Sequence, residues 1–229
     1  MARAVVDRKV LENIYKKLFR VFGPQHWWPG ETPFEVAVGA ILTQNTAWTN
    51  ASRAIVKLKE EGLLDPVKLS HVPRRRLAGL LRSSGFFNEK AKRLLGFVRY
   101  LMKTYDGDMV KMREDPLDRL REELLALPGI GPETADSILL YALGKPVFVV
   151  DAYTRRVLAR HSFISRDASC EEIQALFMNH LPRSVPLWNE YHALLVALGK
   201  ELCRTQPKCH LCPLQKIGKL RLEASCNPL

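Results

Sequence analysis

The residues of this chain that can do chemistry fall in three places. An apolar run, Val147-Phe148-Val149-Val150, ends in Asp151 and leads into Ala152-Tyr153-Thr154-Arg155-Arg156-Val157-Leu158. A carboxylate at that junction caps the following helix by accepting its orphan backbone N–H groups. The same carboxylate can also face a cleft, and the two readings are compatible. Upstream, Leu127-Pro128-Gly129-Ile130-Gly131-Pro132-Glu133-Thr134 reads as a tight hairpin between helices. Gly129 and Gly131 allow positive φ and leave backbone N–H groups uncovered, and Pro132 sits where a helix tolerates proline, in its first turn. Amides exposed at a helix start suit an anion, which for a basic chain is a nucleic-acid phosphate. An ordinary helix–turn–helix corner is the plainer reading of so short a motif. Downstream, Cys203, Cys209 and Cys212 follow the order C-x5-C-x2-C beside Pro207 and Pro213, with Cys226 beyond. Thiolates so close in sequence suit an iron–sulfur cluster or zinc.

Helices must position these groups. Leu120, Leu124 and Leu127 end one amphipathic helix, and Ala135, Ile138, Leu139 and Ala142 lie in another of about 12 residues, Glu133 to Gly144. Apolar residues recur at helical spacing in Val10-Ile14-Leu18, Phe34-Val38-Ile41, Leu94-Val98-Leu101, Ile173-Leu176-Phe177 and Leu194-Leu195-Leu198. Most prolines, Pro33, Pro66, Pro116 and Pro182 among them, fall between such stretches. The one strand-like run, Val147 to Val150, is short and isolated. The reading is an all-α protein. At 229 residues and 47% hydrophobic it can bury a substantial core and divide into two domains.

Charge narrows the partner. The 35 Lys+Arg against 24 Asp+Glu give a formal charge of +11, which attracts polyanions without saying which. No apolar run approaches the roughly 20 residues of a membrane span. Met1 to Lys17 interleaves charges with apolar residues, as an amphipathic helix does and a signal peptide does not. The expectation is an intracellular protein with no membrane partner.

Taken together, L-P-G-I-G-P-E-T-A-D, then V-F-V-V-D-A-Y-T-R-R-V, the upstream G-A-I-L-T-Q-N-T (Gly39 to Thr46) and the cysteines resemble the helix-hairpin-helix, Gly-Pro-Asp superfamily of DNA glycosylases, endonuclease III-like in type. The resemblance covers most of the chain. It implies two helical domains with a DNA-binding groove and the helix-hairpin-helix motif between them: a central domain, 27–145, and a second assembled from 1–26 and 146–229 that carries the cysteine loop. It implies double-stranded DNA as partner, a monomer, and a base flipped out of the duplex, because the glycosidic carbon is inaccessible within the stack. Gly129, Ile130, Gly131 and Thr134 would then bind DNA. Asp151 matches the family's catalytic aspartate, stabilising positive charge on the sugar or helping to activate water.

Position 133 bears on the reaction subtype. Bifunctional members carry a lysine there, which attacks the sugar and forms a Schiff base. This chain has Glu133, which cannot form an imine, so the resemblance implies a monofunctional enzyme without efficient lyase activity. Glu133 is also a favourable first-turn charge. Lys90 and Lys145 are alternative amines that nothing in the sequence brings to the sugar.

Trp27-Trp28-Pro29 suggests the substrate. Adjacent tryptophans are ordinarily core or interface residues, but an indole face also suits a cationic alkylated purine. W-W-P, then F-E-x-x-x-G-A-I-L-T-Q-N-T and S-G-F-F-N-E-K-A-K-R-L (Ser84 to Leu94) are similar to the 3-methyladenine glycosylases of the endonuclease III type. By position, Trp28 and Pro29 would line the base pocket with Trp27 and Phe34 as neighbours, and Gln44 would fill the space left by the flipped base. The alternatives are a glycosylase for mismatched, deaminated or oxidised bases, and a non-enzymatic hairpin-based DNA binder.

For the cysteines the resemblance implies a 4Fe-4S cluster on Cys203, Cys209, Cys212 and Cys226. The family's fourth cysteine falls about six residues after the third, where this chain has Gly218; Cys226 closes the cluster through a longer loop. Zinc on three cysteines and His210 is the rival, and an empty loop a further alternative. Cys170 reads as packed. Asn189-Glu190-Tyr191-His192 lacks a second ligand at metal spacing and reads as packing and local hydrogen bonding. Arg74-Arg75-Arg76 and Lys90-Lys92-Arg93 read as solvated faces able to meet phosphates. Lys200, close to the cysteine loop, has an open role.

Overall fold

The computed structural model describes residues 6–217, and among them there is no β-strand. The helices are α1 (Arg8–Phe22), α2 (Pro33–Leu42), α3 (Trp48–Glu60), α4 (Pro66–Ser70), α5 (Arg74–Leu80), α6 (Phe87–Tyr105), α7 (Met109–Glu114), α8 (Leu117–Leu125), α9 (Pro132–Ser137), α10 (Ala152–Arg160), α11 (Cys170–His180) and α12 (Val185–Glu201). None of them is long and apolar enough to cross a membrane. The described residues form two compact units, 28–146 and 6–27 with 147–217.

In the first unit α2 is the central element. Thr32 caps it and Pro33 opens it, and Phe34 to Leu42 are all buried. A helix apolar on every side must be surrounded, and α3, α6 and α9 pack around this one. The helix expected from Glu133 to Gly144 is two pieces. After the six residues of α9 the chain widens into a π-helical turn, Ile138–Ala142, closed by the Leu143 N–H donating to the Ile138 carbonyl at 3.1 Å.

The second unit joins α1 to the C-terminal helices. Asp7 caps α1 through its Oδ1, 2.9 Å from the Val10 amide, and Leu11, Ile14 and Leu18 form its buried stripe. The strand-like run Val147–Val150 is buried but makes no sheet. Its backbone needs other partners, and Gln174 Nε2 supplies one to the Phe148 carbonyl at 2.7 Å. The Phe148 ring stacks on Phe177 with centroids 3.8 Å apart.

One basic cluster is not a solvated face. Lys90 is completely buried, and its Nζ donates to the carbonyls of Leu42 at 2.8 Å and Ser84 at 2.5 Å. It fastens the C-terminal end of α2 to the turn before α6. Burial, with the charge of Arg93, pushes its pKa down to about 8. The unfolded chain therefore holds this proton more tightly between pH 8 and pH 10.5, and the group's contribution to stability rises with pH across that window. In urea denaturation, the stability of the wild type relative to Lys90→Met is expected to increase by up to about 3 kcal/mol from neutral pH to about pH 10.5. A difference that stays flat with pH would refute the buried ammonium.

Candidate functional site

Asp151 ends the buried run and is the N-cap of α10, with φ −115° and ψ −179°. Its Oδ1 accepts from the Thr154 amide at 2.7 Å, and its Oδ2 lies 3.5 Å from His192 Nε2. The two side chains are only 10% and 6% exposed. Burial alone pushes the Asp151 pKa up. His192 and the Thr154 amide pull it the other way and prevail, so the carboxyl sits below its ordinary value. An anion held ready in a poorly solvated setting can stabilise a developing cation or accept a proton from water.

The hairpin belongs to the other unit. Gly129 has φ +85°, as expected, but Gly131 has φ −94° and is an ordinary extended N-cap. A Cβ on Gly129 would come within 2.8 Å of Arg93 Cγ, whereas one on Gly131 would meet nothing within 4 Å. Ile130 and Thr134, expected at DNA, are 4% and 6% exposed, so any contact at Ile130 would be made by its backbone. Gln44 is tied to the same hairpin: its Nε2 donates to the Gly129 carbonyl at 3.0 Å and to Thr134 Oγ1 at 2.8 Å. Arg93 Nη1 donates to Gln44 Oε1 at 2.6 Å. Insertion of Gln44 into DNA requires breaking these bonds. Arg121 clamps Asp136 with both nitrogens, at 2.7 and 3.2 Å, and ties α8 to α9. The Glu133 side chain is exposed.

The expected base-pocket residues are in different settings. Trp28 packs edge-on against Trp48 and tilted against Tyr141, both with centroids at 5.3 Å. Gly39 permits this, since a Cβ there would lie 3.0 Å from Trp28 Nε1. Phe34 is buried in α2 as a core residue, and Pro29 is exposed. Trp27 lies in the unit of Asp151, with Lys200 Nζ 5.4 Å over its ring.

Cys203, Cys209 and Cys212 lie within electrostatic reach of one another. Burial raises the Cys212 thiol, and charge on the other two adds to this. Arg160 Nη1 lies 3.4 Å from Cys203 Sγ, a position that suits a thiolate. His210, the zinc rival's fourth ligand, is exposed. The histidine near the thiols is His161, whose Nε2 is 3.7 Å from Cys212 Sγ. Among the described residues no three His, Cys, Asp or Glu side chains are gathered as a metal site. Cys226 and Gly218 lie outside the described residues. Cys170 packs beside Arg155 Nη2 at 3.2 Å.

The sequence reading missed His192 and Arg93 as partners of Asp151 and Gln44. They lie 41 and 49 residues from those partners, and no local pattern links them.

The description "HhH-GPD superfamily base excision DNA repair protein" matches residues 38–183. A Methanocaldococcus jannaschii protein named as a candidate DNA repair glycosylase is 46% identical over 210 residues, 91% of this chain and 95% of that one. An endonuclease III trapped as a covalent intermediate with DNA superposes with a TM-score of 0.79 at 26% identity, covering 93% of this chain and 96% of that one. The 3-methyladenine DNA glycosylase MagIII of H. pylori, bound to 1,N6-ethenoadenine, superposes with a TM-score of 0.71 at 28% identity, covering 86% and 98%.

The two hairpin glycines should differ on substitution. Gly129→Ala combines a left-handed backbone with a collision at Arg93 and is expected to cost about 1–2 kcal/mol or more in urea denaturation. Gly131→Ala should stay within about 0.5 kcal/mol of wild type. Equal effects would contradict the hairpin geometry.

Proposed function

This chain belongs to the HhH-GPD superfamily of base excision DNA repair proteins, and we propose that within it the chain is a monofunctional DNA glycosylase that hydrolyses the bond between a damaged base and its deoxyribose. The observation that carries this reading is Asp151, a buried carboxylate held below its ordinary pKa by His192 and the Thr154 amide. With the base flipped out of duplex DNA, the C1′–N bond breaks and its electron pair leaves with the base. The Asp151 anion offsets the positive charge left on the sugar. Water adds at C1′ and gives up a proton. The backbone of the hairpin around Gly129 and Gly131 holds the DNA backbone, and Gln44 fills the vacated position once released from Arg93, the Gly129 carbonyl and Thr134. Such a substrate places the enzyme inside the cell, with the chromosome.

The exposed carboxylate of Glu133 stands where a lyase lysine would be. Lys90 is no substitute, because its ammonium is buried between two carbonyls. Base removal without efficient strand cleavage follows.

An alkylated purine, 3-methyladenine first, is supported by the Trp27-Trp28-Pro29 motif and the likeness to MagIII. A second reading, a neutral mismatched or deaminated base, is favoured by Lys200. Its ammonium already lies over the Trp27 ring, and a second cation stacked beside it would be repelled.

The thiols of Cys203, Cys209 and Cys212 have the chemistry to hold a 4Fe-4S cluster with Cys226, and a bound cluster would cross-link the C-terminal loop. Purified protein should then contain iron and absorb visible light, and Cys203→Ala should lose both; zinc in place of iron decides for the rival.

The central test is release of free base from a panel of DNAs: alkylated duplex, and oligonucleotides carrying uracil, thymine mismatches or 1,N6-ethenoadenine. Asp151→Asn should abolish release while DNA binding survives. Unchanged excision would remove Asp151 from catalysis, and nicking as fast as excision would refute the monofunctional reading. Release of 3-methyladenine decides for the first substrate class, and release of uracil or thymine alone for the second.

A further inference from the structure

Asp151 is approached by two nitrogens from different parts of its unit. The Thr154 amide, 2.7 Å from Oδ1, comes from the turn that Asp151 itself opens. His192 Nε2, 3.5 Å from Oδ2, comes from α12. With the amide on one oxygen and the imidazole facing the other, the carboxylate plane is defined on both sides, which a cap alone leaves free to rotate.

The imidazole is itself held in place. It meets the Phe148 ring edge-on at 6.4 Å and 83°, and Phe148 is stacked on Phe177 and anchored through its carbonyl by Gln174. The neighbouring helices α1, α10, α11 and α12 carry other titratable groups, and several of these are bonded elsewhere. The Tyr191 hydroxyl donates to the Leu11 carbonyl at 2.8 Å, and Tyr15 packs edge-on to Tyr191. Glu190 accepts from the Gln25 amide at 2.8 Å. Arg155 donates to the Ala168 carbonyl, and Arg156 to those of Gly199 and Cys203. His180 Nδ1 lies 2.9 Å from the Leu176 carbonyl.

We propose that His192 is the positioning residue of the reaction, orienting the Asp151 carboxylate from α12. This rests on the glycosylase reading given above. When positive charge develops on the sugar, a carboxylate already confined between the amide and the imidazole needs little reorientation. Removing His192 leaves burial acting on Asp151 with only Thr154 to oppose it, so the acid limb of the rate profile moves to higher pH.

The test uses the full chain with a substrate that the wild type processes, comparing His192→Leu and His192→Gln with Asp151→Asn. Single-turnover base release is measured across pH 5 to 9, alongside DNA affinity and thermal unfolding. His192→Leu should release base roughly 10- to 100-fold more slowly, the range for losing one hydrogen bond to a charged group, with DNA affinity kept and the acid limb raised. His192→Gln keeps an N–H donor and should recover part of the rate. A wild-type rate and profile in His192→Leu overturns the proposal. If that variant does not fold, His192→Gln decides alone, and a wild-type rate overturns the proposal. Failure of the glycosylase reading would look different: no base released by the wild type, or undiminished release by Asp151→Asn.

Discussion

An ionised carboxylate withdrawn from water costs several kcal/mol unless hydrogen bonds and opposite charge offset it. Asp151 is such a group, and much of its unit serves to supply those partners. The Thr154 amide is available only because α10 starts at Asp151. His192 reaches it only because α12 lies close to α10. That closeness depends on Gly199, where a Cβ would come within 2.8 Å of the Tyr153 Cβ. Arg156 fixes the approach with bonds to the carbonyls of Gly199 at 2.9 Å and Cys203 at 2.8 Å. The run from Val147 to Val150 completes the arrangement, carrying Asp151 out of a core built from Phe148, Phe177 and Tyr191.

The hairpin unit meets a similar demand by other means. Two cations three positions apart on α6 hold the segment that follows α2. Lys90 bonds the last carbonyl of that helix and that of Ser84, and Arg93 holds the carboxamide of Gln44. The hairpin is thereby bonded to Gln44 before any DNA is present, through the Gly129 carbonyl and Thr134. Glycine at 129 is required as much by Arg93 passing over it as by its backbone angle. The same contacts set the energetic demand for moving Gln44 toward DNA.

Much of this was legible in the chain because it is local. A proline in a first turn, an aspartate before a helix and apolar residues at helical spacing act within a few residues of themselves. They announced α1, α2, α6, α9, α10 and α12 and the cap at Asp151. Where local signals misled, a distant group had overridden them. Val147–Val150 has strand-forming residues but no neighbouring strand to pair with, so it is a buried extended segment. Lys90 looks like one of three surface cations, yet it is buried because two helix-terminal carbonyls needed a donor. Gly131 looks like a second left-handed turn residue, but Gly129 completes the turn alone.

The sequence by itself determined the helical class, the hairpin, the capping carboxylate and the absence of a lysine at position 133, since each is a matter of residue type within a turn or two. Only the tertiary structure decided that Asp151 is paired with His192, that Gln44 is bound by Arg93, that Lys200 lies over Trp27 and that Phe34 is core. The physical reason is that a charge or a carboxamide takes whichever partner packing brings within hydrogen-bond range, and packing joins residues that spacing along the chain leaves unrelated.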